Sequence, residues 1–513
     1  MATDTKPVEL EQVETRNSLD QEKAKALNVP GASDEQRAFF ADFAGRDEEW
    51  KAQAQKALLR KLDIRCIPAL VILYLLNFLD SKSNLAQARP GDLERDLGMT
   101  GTDFNLATSI FFVGYLLMQL PSNLLITRFR PSIYLGVAAA GWGIISTLNA
   151  AVQNFLSLIA VPFILGLVEA PFFPGAVFLM SSWYTRAELT QRTSWFYSGN
   201  ALANMFGGLL RAGILGGLDG AQGIAEWRWL FIIEGVITIA AAIAAVFILP
   251  DHPATTRWLS EEEHNFAAWR RLSDINEDDE LKSTSVWVGL KLALVYYRLY
   301  LFVLLQHMRI LSQTFTYFFP SVVRTLGYGR VTTLLLTVPV WFLTFLVSVA
   351  VTYSASRTND RSIHIACLLI IAAVGNAIVT GTTSTGPRYF AMFLMPVGAV
   401  SAYQIIVAWV ANSFPRPLVK RSASVAIANM IANCASIYGA YMYPASAGPR
   451  YIPAGVALAV VSLLIGALAI RRRFVHKYEN KKLDRLEQED AAGVGGIAAH
   501  GGNRRVAEFR YIY

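Results

Sequence analysis

Ionisable side chains stand inside stretches of this sequence that are otherwise apolar. Asp80 and Lys82 interrupt CIPALVILYLLNFLDSKSNLAQA, Glu169 lies in GLVEAPFFPG, and His307 and Arg309 lie in LFVLLQHMRILSQTFTYFFP. A charge in an apolar span is expensive, so such groups turn to the interior of a helix bundle or to a water-filled cavity. Carboxylates and an imidazole can exchange protons, and a guanidinium or an ammonium can hold an anion. The patterns of catalysis and of ATP-driven work are absent: there is no Walker loop, no HExxH, no GxSxG between strand and helix, and no Gly-rich dinucleotide turn. No catalytic residue, enzyme activity, cofactor or metal site is expected.

Each group also has a plainer use. Arg309 faces the cavity, with Gln313 four residues on, or else pairs with a carboxylate and ties two helices together. His307 titrates, or is a neutral ring bonded across helices. Glu169 works, or is a structural carboxylate bonded to hydroxyls. At about 100° per residue, Asn77, Asp80, Ser83, Asn84 and Gln87 fall within about 60° of one line, with Lys82 about 160° away. This polar stripe would aim Asp80 at a transport path. Counted from Ile64, Asp80 lies about 24 Å into a core of about 30 Å, so an interfacial Asp with a snorkelling Lys is the alternative.

The elements that position these groups follow from composition. Of 513 residues, 53% are hydrophobic and only 17% charged, which fits a membrane protein and not a soluble one. Twelve stretches are long enough to span, at about 64–86, 104–125, 132–152, 156–180, 194–215, 229–249, 299–322, 331–353, 362–381, 387–411, 422–442 and 452–472. The expected fold is an all-α polytopic membrane protein of twelve transmembrane helices in two six-helix bundles. Its parts are a polar tail over 1–63, bundles over 64–249 and 299–473, a polar linker over 250–298 and a polar tail over 474–513. The first 63 residues show no cleavable signal peptide, and the basic cluster RRRFVHKYENKK suits the cytosolic face. Both termini are therefore expected in the cytosol. Within the linker, Ser260 and Glu263 have capping-box spacing, so EEEHNFAAWRRL reads as an amphipathic surface helix with His264 solvated. The net charge of +7 is scattered over loops without interleaved aromatics, which excludes nucleic acid. Cys66, Cys367 and Cys434 have no CxxC spacing and imply no disulfide.

The segment SSWYTRAELTQRTS after the fourth stretch has a weak counterpart, NSFPRPLVKRSAS, after the tenth, as expected of parallel six-span halves with a site between them near the midplane. NLAQARPGDLERDLGMT, MQLPSNLLITRF, ILGLVEAPFFPGAVFLMSSWYTRAELTQR, WRWLFIIEG, LPDHP and NSFPRPLVKRSASVAIANM closely resemble the anion:cation symporter branch of the major facilitator superfamily, in particular its fungal allantoate permease-like members. The resemblance covers about residues 60 to 480. It implies a secondary transporter of small organic anions such as ureides, nicotinate, pantothenate, biotin or other carboxylates, commonly moved with protons. In relatives that couple to protons, the Glu at position 169 of this chain accepts the proton.

The chain departs from that pattern twice. DSKSN holds one residue too many between Asp80 and Asn84, which a π-bulge would absorb. Pro162 stands where relatives often carry an Arg, and Arg309 is the candidate replacement. The proton-coupling candidates are therefore Glu169, Asp80 and His307, and the substrate-binding candidates Lys82, Asn84, Arg309, Gln313 and Asn433. Arg211 and Glu234 read as gate or interface residues, and Asn200, Asn204, Gln404, Asn429 and Tyr438 as polar positions of which one or two touch substrate. The expected function is proton-coupled uptake of a small organic anion by a monomer in the lipid bilayer of the plasma membrane. Export of an acidic metabolite and a non-transporting nutrient receptor are the alternatives.

Overall fold

The structure is a computed structural model and describes residues 34–80, 93–99, 103–126, 129–218, 220–253, 255–275, 286–358, 360–412 and 418–491. Lys82 and Asn84 lie outside the described residues. The regular elements among those residues are all helical. In the first half they are α1 (Asp34–Gly45), α2 (Glu48–Phe78), α3 (Leu93–Asp96), α4 (Asp103–Leu125), α5 (Pro131–Leu148), α6 (Phe155–Glu169), α7 (Phe172–Trp183), α8 (Arg186–Gly217) and α9 (Glu226–Ile248). Helix α10 (Glu261–Ile275) lies in the connecting stretch. The second half has α11 (Val286–Val295), α12 (Tyr297–Ser312), α13 (Phe319–Arg324), α14 (Arg330–Thr358), α15 (Arg361–Gly381), α16 (Thr385–Asn412), α17 (Leu418–Asn433), α18 (Ala435–Gly439) and α19 (Ile452–Ala491).

The described parts of the twelve apolar stretches are helical, and seven helices among the described residues are long and apolar enough to cross a membrane by length and composition. The seventh stretch is broken where α12 gives way to the 3₁₀ turn Thr314–Tyr317 before α13. Large apolar side chains face outward: Val137, Leu156 and Phe247 are each more than 60% exposed. Arg211, Glu234, Thr238, Ser348 and Ser401 are meanwhile fully buried. A surface of this kind needs lipid around it.

Helices α2, α4, α5, α6, α8 and α9 pack into one bundle, and α12, α14, α15, α16, α17 and α19 into the other. The seam between them is made where α8 runs along α14 and where α4 meets α17 and α18. Ser109 donates across it to the Ile437 carbonyl at 2.7 Å. Close crossings use glycine. A Cβ built on Gly166 would meet the Phe111 carbonyl and the Tyr115 amide, and one on Gly114 the Phe163 carbonyl, so α4 and α6 touch backbone to backbone. In the glycine run of α8, Gly208 faces Thr337 and Leu334 of α14, whereas Gly213 has nothing within 4 Å.

Among the described residues, buried apolar side chains join the halves mainly at one end. A cluster containing Phe104, Trp227, Phe318, Trp341 and Tyr443 runs through both halves at the end away from α10. Phe318 stacks on Tyr443 at 4.9 Å and meets Phe104 edge-on at 6.0 Å. Towards α10 there are two separate clusters, one built from the first half and α10, the other from the second half.

Helix α10 begins with the capping box its sequence announces: Ser260 N donates to Glu263 Oε2 at 3.1 Å, and Glu263 N to Ser260 Oγ at 3.3 Å. His264 is not solvated as expected; its Nε2 lies 2.7 Å from the Thr256 carbonyl, because the turn before α10 folds back on the helix. Phe266 and Trp269 pack with Phe43 of α1 and Trp50 of α2. Ion pairs from Arg46 to Glu262, Lys61 to Glu263 and Arg270 to Glu188 fasten α10 to the first bundle. Arg192, one of the basic loop residues, forks onto Asp63 with two bonds of 2.7 Å.

Two expectations follow. Gly166→Ala forces α4 from α6 and costs about 1–3 kcal/mol, read as a lower midpoint in thermal unfolding in detergent, while Gly213→Ala leaves the midpoint unchanged. Partial burial opposes ionisation of Glu263, but bonds from Lys61 and Ser260 outweigh it and hold its carboxyl below its ordinary value. The group therefore adds stability that is complete above about pH 4.3 and is lost as pH falls through its lower folded value. Hydrogen exchange in α10 should rise on that acidification, and Lys61→Ala should raise exchange at neutral pH and flatten the acid dependence.

Candidate functional site

Midway along the seam, side chains from both halves form an aromatic chamber around one guanidinium. Arg309, on the last turn of α12, is 4% exposed and lies over the ring of Tyr403 from α16, its Cζ 4.0 Å from the centroid. Its Nε and Nη1 are buried and make no hydrogen bond, and no carboxylate pairs with it among the described residues. Tyr403 meets Tyr197 of α8 edge-on at 5.9 Å, which brings the two halves together. Behind Tyr197 stand Phe173 of α7 at 5.5 Å and Phe196, itself 4.6 Å from Tyr74 of α2. Arg309 is near enough to Tyr74 and Tyr197 to act on both electrostatically. A buried guanidinium stacked on one face keeps its in-plane N–H groups for an acceptor.

Glu169 sits on the same chamber's first-half wall. It ends α6, where Pro171 supplies no amide and the chain breaks before α7. It is 2% exposed and within electrostatic range of Tyr115 on α4. The glycine crossing at Gly114 and Gly166 brings Tyr115 beside Glu169, since any larger residue would push the two helices apart.

Asp80 is elsewhere. Rather than facing the path between the halves, it turns into the first bundle, accepting from Ser146 Oγ of α5 at 2.9 Å and from Thr238 Oγ1 of α9 at 2.6 Å. The backbone widens to π geometry at Leu79 and Asp80. A π-bulge was expected in this stretch to absorb the extra residue; the positions between Asp80 and Asn84 lie outside the described residues. Beside Asp80 lies the ion pair of Arg211 Nε with Glu234 Oε1 at 3.4 Å, both side chains fully buried. All three charges interact. Arg211 and Glu234, read from the sequence as gate or interface residues, are thus an internal charge centre with Asp80.

His307 is half-buried and bonded on both nitrogens, Nδ1 to the Ile431 carbonyl at 3.0 Å and Nε2 to the Tyr438 hydroxyl at 2.6 Å. A neutral ring with hydrogen on Nδ1 satisfies both partners. Gln313 lies just beyond the end of α12 and donates to the Ala399 carbonyl at 3.3 Å, because the helix does not continue through it. Asn204 bonds Asn200 within α8, Asn429 accepts from Gln306, and Gln404 accepts from Thr352. These amides serve as links, while Asn433 remains half-buried at the end of α17. The tyrosines were not singled out in the sequence; mid-span Tyr74, Tyr115, Tyr197 and Tyr403 on four separate spans were the available signal.

Removing Arg211 would leave Asp80 and Glu234 buried without their cation. Arg211→Met should cost about 3–5 kcal/mol, seen as a fall in the monodisperse fraction on size-exclusion chromatography, and Glu234→Gln in the same chain should restore most of it.

The sequence profile of the Major Facilitator Superfamily matches residues 70–440. The chain is 33% identical over 463 residues to the MFS-type transporter cnsO of Penicillium expansum, covering 87% of this chain and 88% of that one. It is 31% identical to the MFS transporter prlL of Fungal sp. (strain NRRL 50135), over 88% and 92% of the two chains. In fold it is similar to the proton:xylose symporter XylE, with a TM-score of 0.61 at 13% identity over 79% of this chain and 95% of that one. With two six-helix bundles around a buried seam and a family match over most of its length, the chain belongs to the Major Facilitator Superfamily and is a multi-pass membrane transporter, not an enzyme.

Proposed function

We propose that the protein carries a small organic anion by proton symport and alternating access, as a monomer of the anion:cation symporter branch, with its termini in the cytosol and the plasma membrane as its site. Its motifs favour carboxylates, ureides and vitamin-like acids. One observation carries the reading: a buried arginine at the seam, stacked on Tyr403, with two N–H groups directed at no partner. A positive charge kept without a carboxylate in a low-dielectric chamber is stabilised when an anion enters. Arg309 thereby takes the place of the charge missing at Pro162.

Proton coupling falls to Glu169, buried beside Tyr115 on the opposite wall. Anion and proton entering one chamber bring no net charge for a monocarboxylate, which lowers the cost of carrying both through the apolar seal. Asp80 is the second proton candidate, acting through the Arg211 and Glu234 centre and not by touching substrate. The halves, residues 64–249 and 299–473, would rock about the seam. The aromatic cluster of Phe104, Phe318 and Tyr443 is the closed gate in this conformation, so the chamber opens toward α10.

The test is uptake of a panel of labelled carboxylates, ureides and vitamins into proteoliposomes at acid and neutral pH. For the accepted anion, Arg309→Gln should raise KM about 10- to 100-fold, the worth of a charged hydrogen-bond pair, and Glu169→Gln should abolish stimulation by an inward proton gradient. Uptake indifferent to pH and to Glu169→Gln would sink the coupling; an unchanged KM in Arg309→Gln would sink the anion site. Accumulation against the expected direction would identify an exporter.

A further inference from the structure

The last helix carries a site that transport does not use. Helix α19 continues without a break from its apolar part into RRRFVHKYENKK, and its three successive arginines go three ways. Arg472 turns inward, its Cζ 4.3 Å from the ring centroid of Phe302. Arg473 closes on Asp360 at 2.6 Å. Arg471 is exposed on the outer face and makes no hydrogen bond or ion pair among the described residues.

Arg471 stands at the end of a groove of about 540 Å³ between α15 and α19. Small residues set its floor: even a Cβ built on Gly466 would meet Ala366 only at ordinary contact distance, and Ala467 adds no bulk. Ile370 and Leu463, each about half exposed, form the walls. From Ser462 to Phe474 the groove follows α19 for about 18 Å, parallel to lipid chains. Beyond Phe474 a second depression of about 580 Å³ is edged by Tyr297, Tyr478, Glu479 and Lys482. Phe474, Tyr478 and Tyr297 are all more than 60% exposed, the placement of an aromatic belt at a membrane surface.

We infer that this groove is a binding site for an anionic glycerophospholipid, one acyl chain lying along Gly466 and Ala467 and the headgroup phosphate against Arg471. The groove faces hydrocarbon, so water does not fill it and an acyl chain does. The charge at its mouth selects among lipids: Arg471 is the cation that lines this groove, and it makes no ion pair among the described residues. A basic residue at this depth favours anionic over zwitterionic headgroups. The site lies on the outer face of the second half, away from the chamber, and does not rest on which substrate is carried.

The experiment uses the full chain reconstituted with equal phosphatidylcholine and phosphatidylserine, re-extracted in detergent, with retained lipid counted by native mass spectrometry. The wild type should retain phosphatidylserine in excess; Arg471→Gln should reduce that preference about five-fold, and Arg471→Lys should keep most of it. Ala467→Trp, which fills the groove from a lipid-facing position, should displace both lipids, and Lys481→Gln, outside the groove, should change nothing. Thermal midpoints equal to wild type certify each variant as folded. Equal retention of the two lipids by the wild type overturns the site, as does an unaltered preference in Arg471→Gln or unaltered retention in Ala467→Trp. Crosslinked pairs of the chain through Ala467 would overturn it too, by assigning the groove to a second copy.

Discussion

Inside a bilayer a polar side chain finds no water, so its partner has to come from another helix, and the architecture here follows from how those needs are met. Asp80 takes two hydroxyls from α5 and α9 and lies beside Arg211 and Glu234, which locks four helices of the first bundle, α2, α5, α8 and α9, around one charge centre. His307 ties α12 to the region of Ile431 and Tyr438, and Ser348 ties α14 to Ser401 of α16 at 2.8 Å. Each such link removes a polar group from the account of what remains reactive. Arg309 at the seam is different: it is stacked on an aromatic ring with guanidinium hydrogens left over.

The seam has a second logic, that of packing. At the end away from α10 a single apolar cluster passes from one half to the other, whereas toward α10 each half closes its own core. Among the described residues, the helices at the seam are thus joined by dispersion and apolar burial, which are undone by rigid displacement, and by few directional bonds. Ser109 to Ile437 is one of those few. Within each half the contacts are tighter: glycines let backbone approach backbone at Gly114 and Gly166 in the first half, and at Gly375 and Gly398 in the second. Rigid halves and a smooth seam are what rocking motion requires.

Helix α10 and the short α1 add a collar to the first half alone. Its aromatic core of Phe43, Trp50, Phe266 and Trp269 is flanked by ion pairs to α2 and α8. Through α10 the long connection therefore belongs mechanically to the first half.

The sequence by itself determined the class of fold, because a run of apolar residues long enough to span a bilayer has only one way to satisfy its backbone, and twelve such runs with a polar divide leave little choice of architecture. It also identified Glu169 and Arg309 as residues needing explanation, since a lone charge among apolar neighbours stands out in one dimension, and it announced the cap at Ser260 and Glu263, which is local. Tertiary structure alone decided which charges meet. Asp80, at a π turn that a count of 100° steps does not contain, is held in the bundle instead of the seam by the hydroxyls of Ser146 and Thr238. The chamber of Tyr74, Tyr197 and Tyr403 is equally hidden, since its members lie far apart in the chain and no single span reveals them. A side chain's partner in a membrane is set by the rotation and depth of two helices together, and neither is written in the residues of one.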